Sequence, residues 1–163
     1  MKNRLLNKFS VLVAFMLVVL GTTASAQSVG SVNHNRSFEG TWDSSINFFG
    51  VFYRALYSFH QGGTVSESDN PAVDPTFGGD ALSPGLGAWE YAAPNKIKVK
   101  YRKLAYDATG ALHLVYTSSM SLVMATNSNT WSGTLNIVIT SPDGSVINKL
   151  TDLPVQAFKL SVE

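Results

Sequence analysis

From residue 38 onward, apolar and polar residues alternate with a period close to two, the period of a β-strand that buries one face. No stretch beyond that point shows the 3.6-residue spacing of an amphipathic helix. The predicted fold class is therefore all-β. The alternation and the turn residues between runs predict strands over residues 38–48, 51–59, 64–68, 87–91, 95–107, 111–124, 131–140, 146–150 and 155–162.

Most of the predicted turns are short, and the Gln-Gly-Gly of residues 61–63 and the Pro-Asp-Gly of residues 142–144 are strong hairpin signals. A meander of eight or nine half-apolar strands has to bury one face and protect its edge strands. Closure into an up-and-down antiparallel β-barrel of about eight strands does both. An open sandwich is the alternative.

Residues 69–86 interrupt the alternation with three prolines, several glycines and three aspartates. They predict a loop that is long for a compact domain. Loops of this length often bind ligands or close over a site, and the alternative is a disordered insertion.

The first 26 residues have the three parts of a secretory signal peptide. Three basic residues precede a short apolar run at residues 11–20, and the Ala-Ser-Ala of residues 24–26 is a cleavage site. We expect a secreted or periplasmic protein whose mature chain begins at Gln27, rather than an uncleaved N-terminal anchor. Residues 27–37 then form a flexible lead-in, and residues 38–163 form the barrel domain.

Removal of the signal peptide changes the charge balance of the chain. Nine basic residues remain against eleven acidic ones, so the formal net charge falls from +1 to −2. This balance favours neither a nucleic-acid partner nor an anionic membrane surface. No further apolar run has transmembrane length, so we expect no stable membrane insertion after cleavage. The chain has no cysteine and needs no oxidising compartment to fold.

The aromatic residues fall mostly on the apolar faces of the predicted strands. One interpretation is a cavity with apolar walls and a few tyrosine hydroxyls that orient a ligand. The alternative is a solid core built from the same residues, because barrels of about eight strands are either filled or hold one small ligand. The residues that we expect to line a cavity are Trp42, Tyr57, Tyr101, Tyr116 and Met120.

The sequence offers little for catalysis or metal binding. The three histidines, at positions 34, 60 and 113, lack a metal-ligand spacing and are interpreted as solvated, so no metal and no cofactor is predicted. The Gly-x-Ser-x-Gly turn of a nucleophilic serine is absent, and the acids of residues 69–86 lack EF-hand spacing. No catalytic residue is assigned, and Glu67 with His60, which flank one hairpin, form only a minor acid–base hypothesis.

The densest charge cluster lies in one predicted strand and consists of Lys96, Lys98, Lys100, Arg102 and Lys103. Nucleic-acid binding would need aromatic platforms on the same face, whereas Tyr101 alternates to the opposite one. We interpret the cluster as a solvated outer barrel face that also discourages edge-to-edge pairing.

Three motifs carry a resemblance to a known family. They are the Gly-Thr-Trp of residues 40–42, the Gly-Gly-Thr of residues 62–64 and the Ser-Pro-Gly-x-Gly-x-Trp of residues 83–89. The chain resembles small bacterial secreted lipocalin-like proteins, which are calycin barrels, and a similar barrel serves the allene oxide cyclases. The resemblance implies that Trp42 closes one barrel end against a basic residue of the last strand. Lys159 is the only basic residue there, and alternation places it opposite Phe158 and Leu160, which argues against this contact.

These observations lead to one expected function and two alternatives. We expect a non-catalytic barrel that binds a small apolar molecule. The first alternative is a cyclase or isomerase that uses the same pocket to hold a substrate in one conformation. The second is a solid barrel that acts as an interaction protein of the cell envelope, with Phe49 and Phe52 as an outward aromatic patch.

Overall fold

The computed structural model describes residues 37–70, 80–127 and 129–161, in which every regular element is a β-strand. The predicted signal peptide and most of the lead-in lie outside the described residues. No helix within the described ranges is long and apolar enough to cross a membrane. The strands are β1 (Gly40–Phe48), β2 (Val51–His60), β3 (Thr64–Asn70), β4 (Ala81–Leu82), β5 (Gly85–Ala93), β6 (Lys96–Tyr106), β7 (Leu112–Met124), β8 (Thr130–Thr140) and β9 (Val146–Lys159).

Eight of these strands close into one antiparallel barrel. β1 pairs with β2 on one side and with β9 on the other, and the ring continues through β3, β5, β6, β7 and β8. The short β4 pairs with the last residues of β6, beyond the point where β5 begins. The predicted up-and-down barrel is confirmed, because an open sandwich would leave β1 and β9 unpaired with each other.

Alternation correctly predicts the buried face of most strands. In β6, for example, Ile97, Val99 and Tyr101 are buried while the residues between them are exposed. The same holds for the alternate apolar positions of β1 and β8. The inward residues of all the long strands form one continuous core.

β9 departs from its prediction. Residues 146–150 and 155–162 were expected to be two strands, but Val146–Lys159 forms one strand whose pairing with β8 shifts register at two places. One shift lies next to Asp152, which has a positive φ of 57°. Its backbone N–H donates to Asn136 Oδ1 at 2.9 Å, which pairs a donor that the shifted ladder leaves free.

The inward face of β9 is the opposite of the expected one. Val155 and Ala157 are buried, whereas Phe158 is 63% exposed. Lys159 therefore shares the inward side and lies opposite Trp42 in the β1–β9 register. Its ammonium nitrogen is 5.3 Å from the centre of the Trp42 ring, so the contact that alternation argued against is present.

The predicted loop at residues 69–86 is shorter than expected. Its first two residues end β3, β4 occupies two more, and Gly85 begins β5, while residues 71–79 lie outside the described ranges. Pro84 has no N–H for the ladder. Ser83 keeps the chain attached to β6, because its N–H donates to the Leu104 carbonyl and its Oγ accepts from the Leu104 N–H, at 2.8 and 2.9 Å.

The β1–β2 turn carries a phenylalanine in an unfavourable conformation. Phe49 and Gly50 both have positive φ, 50° and 93°, as a two-residue type I′ hairpin requires. A bulky side chain disfavours this region, and asparagine or glycine is the usual residue. The Phe49 ring is nonetheless 84% exposed.

Replacement of Phe49 by asparagine should stabilise the protein. The Phe49→Asn variant keeps the turn and relieves the positive-φ strain, so the free energy of unfolding should rise by about 1 kcal/mol. Chemical denaturation measures this difference. The Phe52→Asn variant, which changes an exposed phenylalanine within β2, should bring no such gain, and a loss of stability in Phe49→Asn would contradict the strain argument.

Candidate functional site

Large aromatic rings fill the barrel at the end where β1 begins, here called the Phe38 end. Phe38 is fully buried, and its carbonyl accepts a 2.7 Å hydrogen bond from Trp42 Nε1. Trp131 packs against Trp42 with ring centres 6.1 Å apart, and Phe59 packs against Phe38 at 6.4 Å. These edge and tilted contacts are the preferred aromatic geometries, so this half of the interior is a packed core.

The other half of the interior is lined by smaller side chains. Beyond the tyrosines of β2 and β6, the buried positions include several small residues, namely Ser44, Ala55, Gly85, Ala105 and Ser118. Among them lie three ionisable side chains from inward positions, Glu67 and Asp69 of β3 and Lys103 of β6. We call these three residues the ionic cluster.

The ionic cluster is tightly connected. Lys103 Nζ lies 3.3 Å from Oε1 and 3.1 Å from Oε2 of Glu67, and it forms an ion pair with Asp69. Only the Oε1 contact has hydrogen-bond geometry, so no donor among the described residues is aligned with the buried Oε2. The Glu67 side chain is 1% exposed and that of Lys103 8%, whereas that of Asp69 is 26% exposed. The cluster therefore reaches from the interior towards solvent.

Two glycines of β5 make room for this arrangement. Gly85 lies opposite Glu67 in the β3–β5 register, and a Cβ there would approach both Glu67 Oε2 and Tyr101 Cδ2 to 2.7 Å. A Cβ at Gly87 would lie 2.5 Å from the Tyr101 Cα. The glycines of the Ser-Pro-Gly-x-Gly-x-Trp motif thus let side chains of β3 and β6 meet across β5.

The surroundings of Glu67 favour its protonated form. Burial first, and then the hydrogen bond and charge of Asp69, raise the pKa of Glu67 to about 8, while Lys103 opposes the shift. A neutral Glu67 beside the Asp69–Lys103 ion pair leaves the cluster without net charge. A carboxyl group with such a pKa can donate or accept a proton near neutral pH.

Two neutral tyrosines lie beside the cluster. The hydroxyl oxygens of Tyr57 and Tyr101 are 2.9 Å apart, and their ring centres are 5.8 Å apart in an edge-to-face contact. Burial is the main cause that raises the pKa of each phenol well above its ordinary value, and Tyr101 also bonds to Ser118. Both phenols therefore act as neutral hydrogen-bonding groups.

A second polar pair lies where β6 and β7 lose their regular register. His113 is the extra residue of a bulge, since Ala105 pairs with Leu114 and Tyr106 with Leu112. Its Nδ1 lies 2.6 Å from Oδ2 of the buried Asp80, while half of the His113 side chain is exposed. His113 is therefore solvated, as interpreted, but it also has a buried carboxylate partner, Asp80.

The five residues predicted to line a cavity all face the interior but do not form one group. Trp42 belongs to the packed Phe38 end, and Tyr57 and Tyr101 lie beside the ionic cluster. Met120 is buried, and Tyr116 is partly buried against the core. Their contact with a ligand stays a prediction.

Two sequence interpretations are wrong. His60 is exposed and contacts the Ser66 hydroxyl at 3.3 Å, whereas Glu67 faces the interior, so the two do not form an acid–base pair. Lys103 does not belong to the outer basic face, because it is buried with Glu67. The alternation of inward and outward positions indicates that Lys103 points inward, because it lies two residues after the inward Tyr101.

Comparison with known protein families, with curated proteins and with solved structures finds no match to this chain. The resemblance to lipocalin-like proteins therefore stays a prediction, and the case for function depends on the geometry of the barrel. Among the described residues, no group of three or more histidine, cysteine or acidic side chains is arranged to hold a metal ion.

The raised pKa of Glu67 predicts how stability depends on pH. Because the folded state holds a proton that the unfolded chain releases above its ordinary pKa of 4.5, the contribution of Glu67 is lost as the pH rises towards 8. The slope is at most about 1.4 kcal/mol per pH unit. In the Glu67→Gln variant, which mimics the protonated side chain, the free energy of unfolding should fall less between pH 5 and pH 8.

Denaturation of both proteins across this range measures the difference. The Glu90→Gln variant is the control, since Glu90 is exposed on β5 and its loss should leave the wild-type slope. Parallel pH profiles for wild type and Glu67→Gln would rule out a protonated Glu67.

Proposed function

We propose that this chain binds a small, largely apolar molecule inside its barrel, and that the ionic cluster receives the one polar group of that ligand. The buried ionic cluster, in which no donor among the described residues is aligned with Oε2 of Glu67, is the observation that carries the proposal. Residues with perturbed pKa values and specific charge partners mark functional sites more often than chance.

Energetics support a functional role for the cluster. Removing carboxylates and an ammonium group from water is expensive, and apolar side chains of similar volume often stabilise a fold as well or better. The ring closure of the barrel does not require charges at these positions, since inward positions elsewhere in β3 and β6 hold Val65 and Val99. Selection for binding accounts for a cost that selection for folding does not.

The chemistry of the cluster favours a neutral polar group on the ligand. A protonated Glu67 beside the Asp69–Lys103 ion pair presents donors and acceptors without net charge. A hydroxyl or carbonyl group can exchange hydrogen bonds with such a site, whereas a fixed ionic group would need a counter-charge. Apolar residues of the core such as Leu114 and Ile139 would bury the rest of the ligand.

A catalytic alternative uses the same residues. A carboxyl group whose pKa is about 8 can transfer protons near neutral pH, and Tyr57 and Tyr101 lie beside it. A cyclase or isomerase would convert its bound molecule, so analysis of the extracted ligand after incubation separates turnover from simple binding. In that case Glu67→Gln should abolish turnover while the molecule still binds.

An interaction protein is the other alternative, and exposed rings favour it. Phe49 and Phe52 at the β1–β2 hairpin are 84% and 65% exposed. An interaction protein with a solid barrel would show no small-molecule adduct, so one measurement separates it from the other two functions.

Native mass spectrometry of the protein purified from its own host tests the proposal. The wild type should carry a stoichiometric small-molecule adduct. The triple variant Glu67→Met, Asp69→Asn and Lys103→Met should lose the adduct, while its free energy of unfolding is unchanged or higher by about 1–4 kcal/mol because no buried charge remains. The ligand extracted from the wild type should contain a hydroxyl or carbonyl group on an apolar skeleton.

The matched control removes an ion pair outside the barrel. Asp43→Asn with Arg54→Met breaks a surface salt bridge between β1 and β2 and should leave the adduct in place. A clean apo mass for the wild type, repeated after incubation with a lipid and pigment mixture, would sink the proposal, as would an adduct that persists in the triple variant.

A further inference from the structure

A row of cations runs along the outer face of β6. Alternation exposes its four members, Lys96, Lys98, Lys100 and Arg102. Within the described part of the chain none of them makes an ion pair or a side-chain hydrogen bond, although Glu90 lies directly opposite Lys98 in the β5–β6 register. We call this set the basic row.

Protection of a sheet edge does not explain the basic row. β6 pairs with β5 and β4 on one side and with β7 along nearly its whole length on the other. It is an interior strand of a closed ring, so it has no free edge on which lysines could block aggregation. The clustering of like charges on neighbouring exposed positions therefore needs another cause.

A groove beside the basic row provides a place for a ligand. It has a volume of about 410 Å³ and lies over β5 to β8 on the outer surface. Lys98 and Lys100 line it together with one acidic residue, Glu90, and the short polar side chains of Ser119, Ser121 and Asn136. Serine pairs with lysine in the β6–β7 register, so the small residues leave space next to each ammonium group.

We propose that this outer groove binds a linear anionic polysaccharide that lies along the basic row. Alternate residues of a strand are about 7 Å apart, so the row presents four positive charges over about 20 Å. Carboxylates of acidic sugars would meet the ammonium and guanidinium groups, and the hydroxyl and amide groups of the groove would exchange hydrogen bonds with sugar hydroxyls.

The lining argues against a nucleic acid as the occupant. Single strands are held by bases that stack on exposed aromatic rings as well as by cations. Trp89, the one aromatic among the described lining residues, is 7% exposed. The groove thus offers charge and hydrogen bonds without a stacking platform. This site is on the opposite face of β6 from the ionic cluster, and it does not depend on the proposed ligand of the barrel.

Titration of the purified protein with polygalacturonate at low salt tests the inference. Binding should weaken as salt is added, because a charged polymer releases counterions on binding. The Lys100→Glu variant should bind about tenfold more weakly, since it places a like charge against the polymer, and its salt slope should fall by about one. Lys149→Glu makes the same charge change at an exposed position of β9 and should bind within about twofold of the wild type.

Two further probes make the result decisive. Fully methyl-esterified polygalacturonate is neutral and should not bind. Oligodeoxythymidylate should bind more weakly than polygalacturonate at equal salt, and the reverse order would overturn the inference in favour of a nucleic acid. Equal losses in Lys100→Glu and Lys149→Glu would overturn it as well, because they would indicate only a response to net charge. Circular dichroism spectra check that both variants keep the fold.

Discussion

The pairing of β1 with β9 closes the ring on which every other feature of this protein depends. The register of that pairing puts Lys159 opposite Trp42 and leaves no strand of the ring with a free edge. Closure also fixes which alternate positions point inward, and therefore which residues compete for one limited interior. The aromatic packing, the ionic cluster and the outer basic row all depend on which residues point into the barrel and which point away from it.

The interior is divided by residue size. Rings such as Trp42 and Trp131 fill the Phe38 end, where dispersion and hydrophobic burial stabilise the closed barrel. Towards the other end Gly85 lacks a side chain that would otherwise separate β3 from β6, and the space is used by Glu67 and Tyr101. The packed half supplies the stability that the charged half costs, which is the relation expected if the charged half is the proposed binding site.

Alternation predicts the barrel well because every second residue of a strand points inward, and these inward residues are mostly apolar. It fails in β9, where apolar residues occur on both faces and the shift beside Asp152 changes the phase, so Phe158 is outward and Ala157 inward. The ionic cluster was missed for another reason. Lys103 follows a run of outward cations and was therefore grouped with them, although alternation from Tyr101 places it on the inward face. The Asp80–His113 contact joins residues 33 apart in the chain, and no local pattern contains it.

The two faces of β6 show why parity matters for function as well as for fold. Outward lysines keep their hydration, so their presence costs little. What needs an explanation is that they cluster on an interior strand without a partner among the described residues. The inward Lys103 has two partners, Glu67 and Asp69. Here it is the free-energy cost of burying these ionisable groups that needs an explanation. Because neighbouring residues of one strand point to opposite sides, a shift of β6 by one residue would turn the outward lysines inward and Lys103 outward. The two arguments therefore depend on the same register but on opposite physical grounds, and failure of either one leaves the other intact.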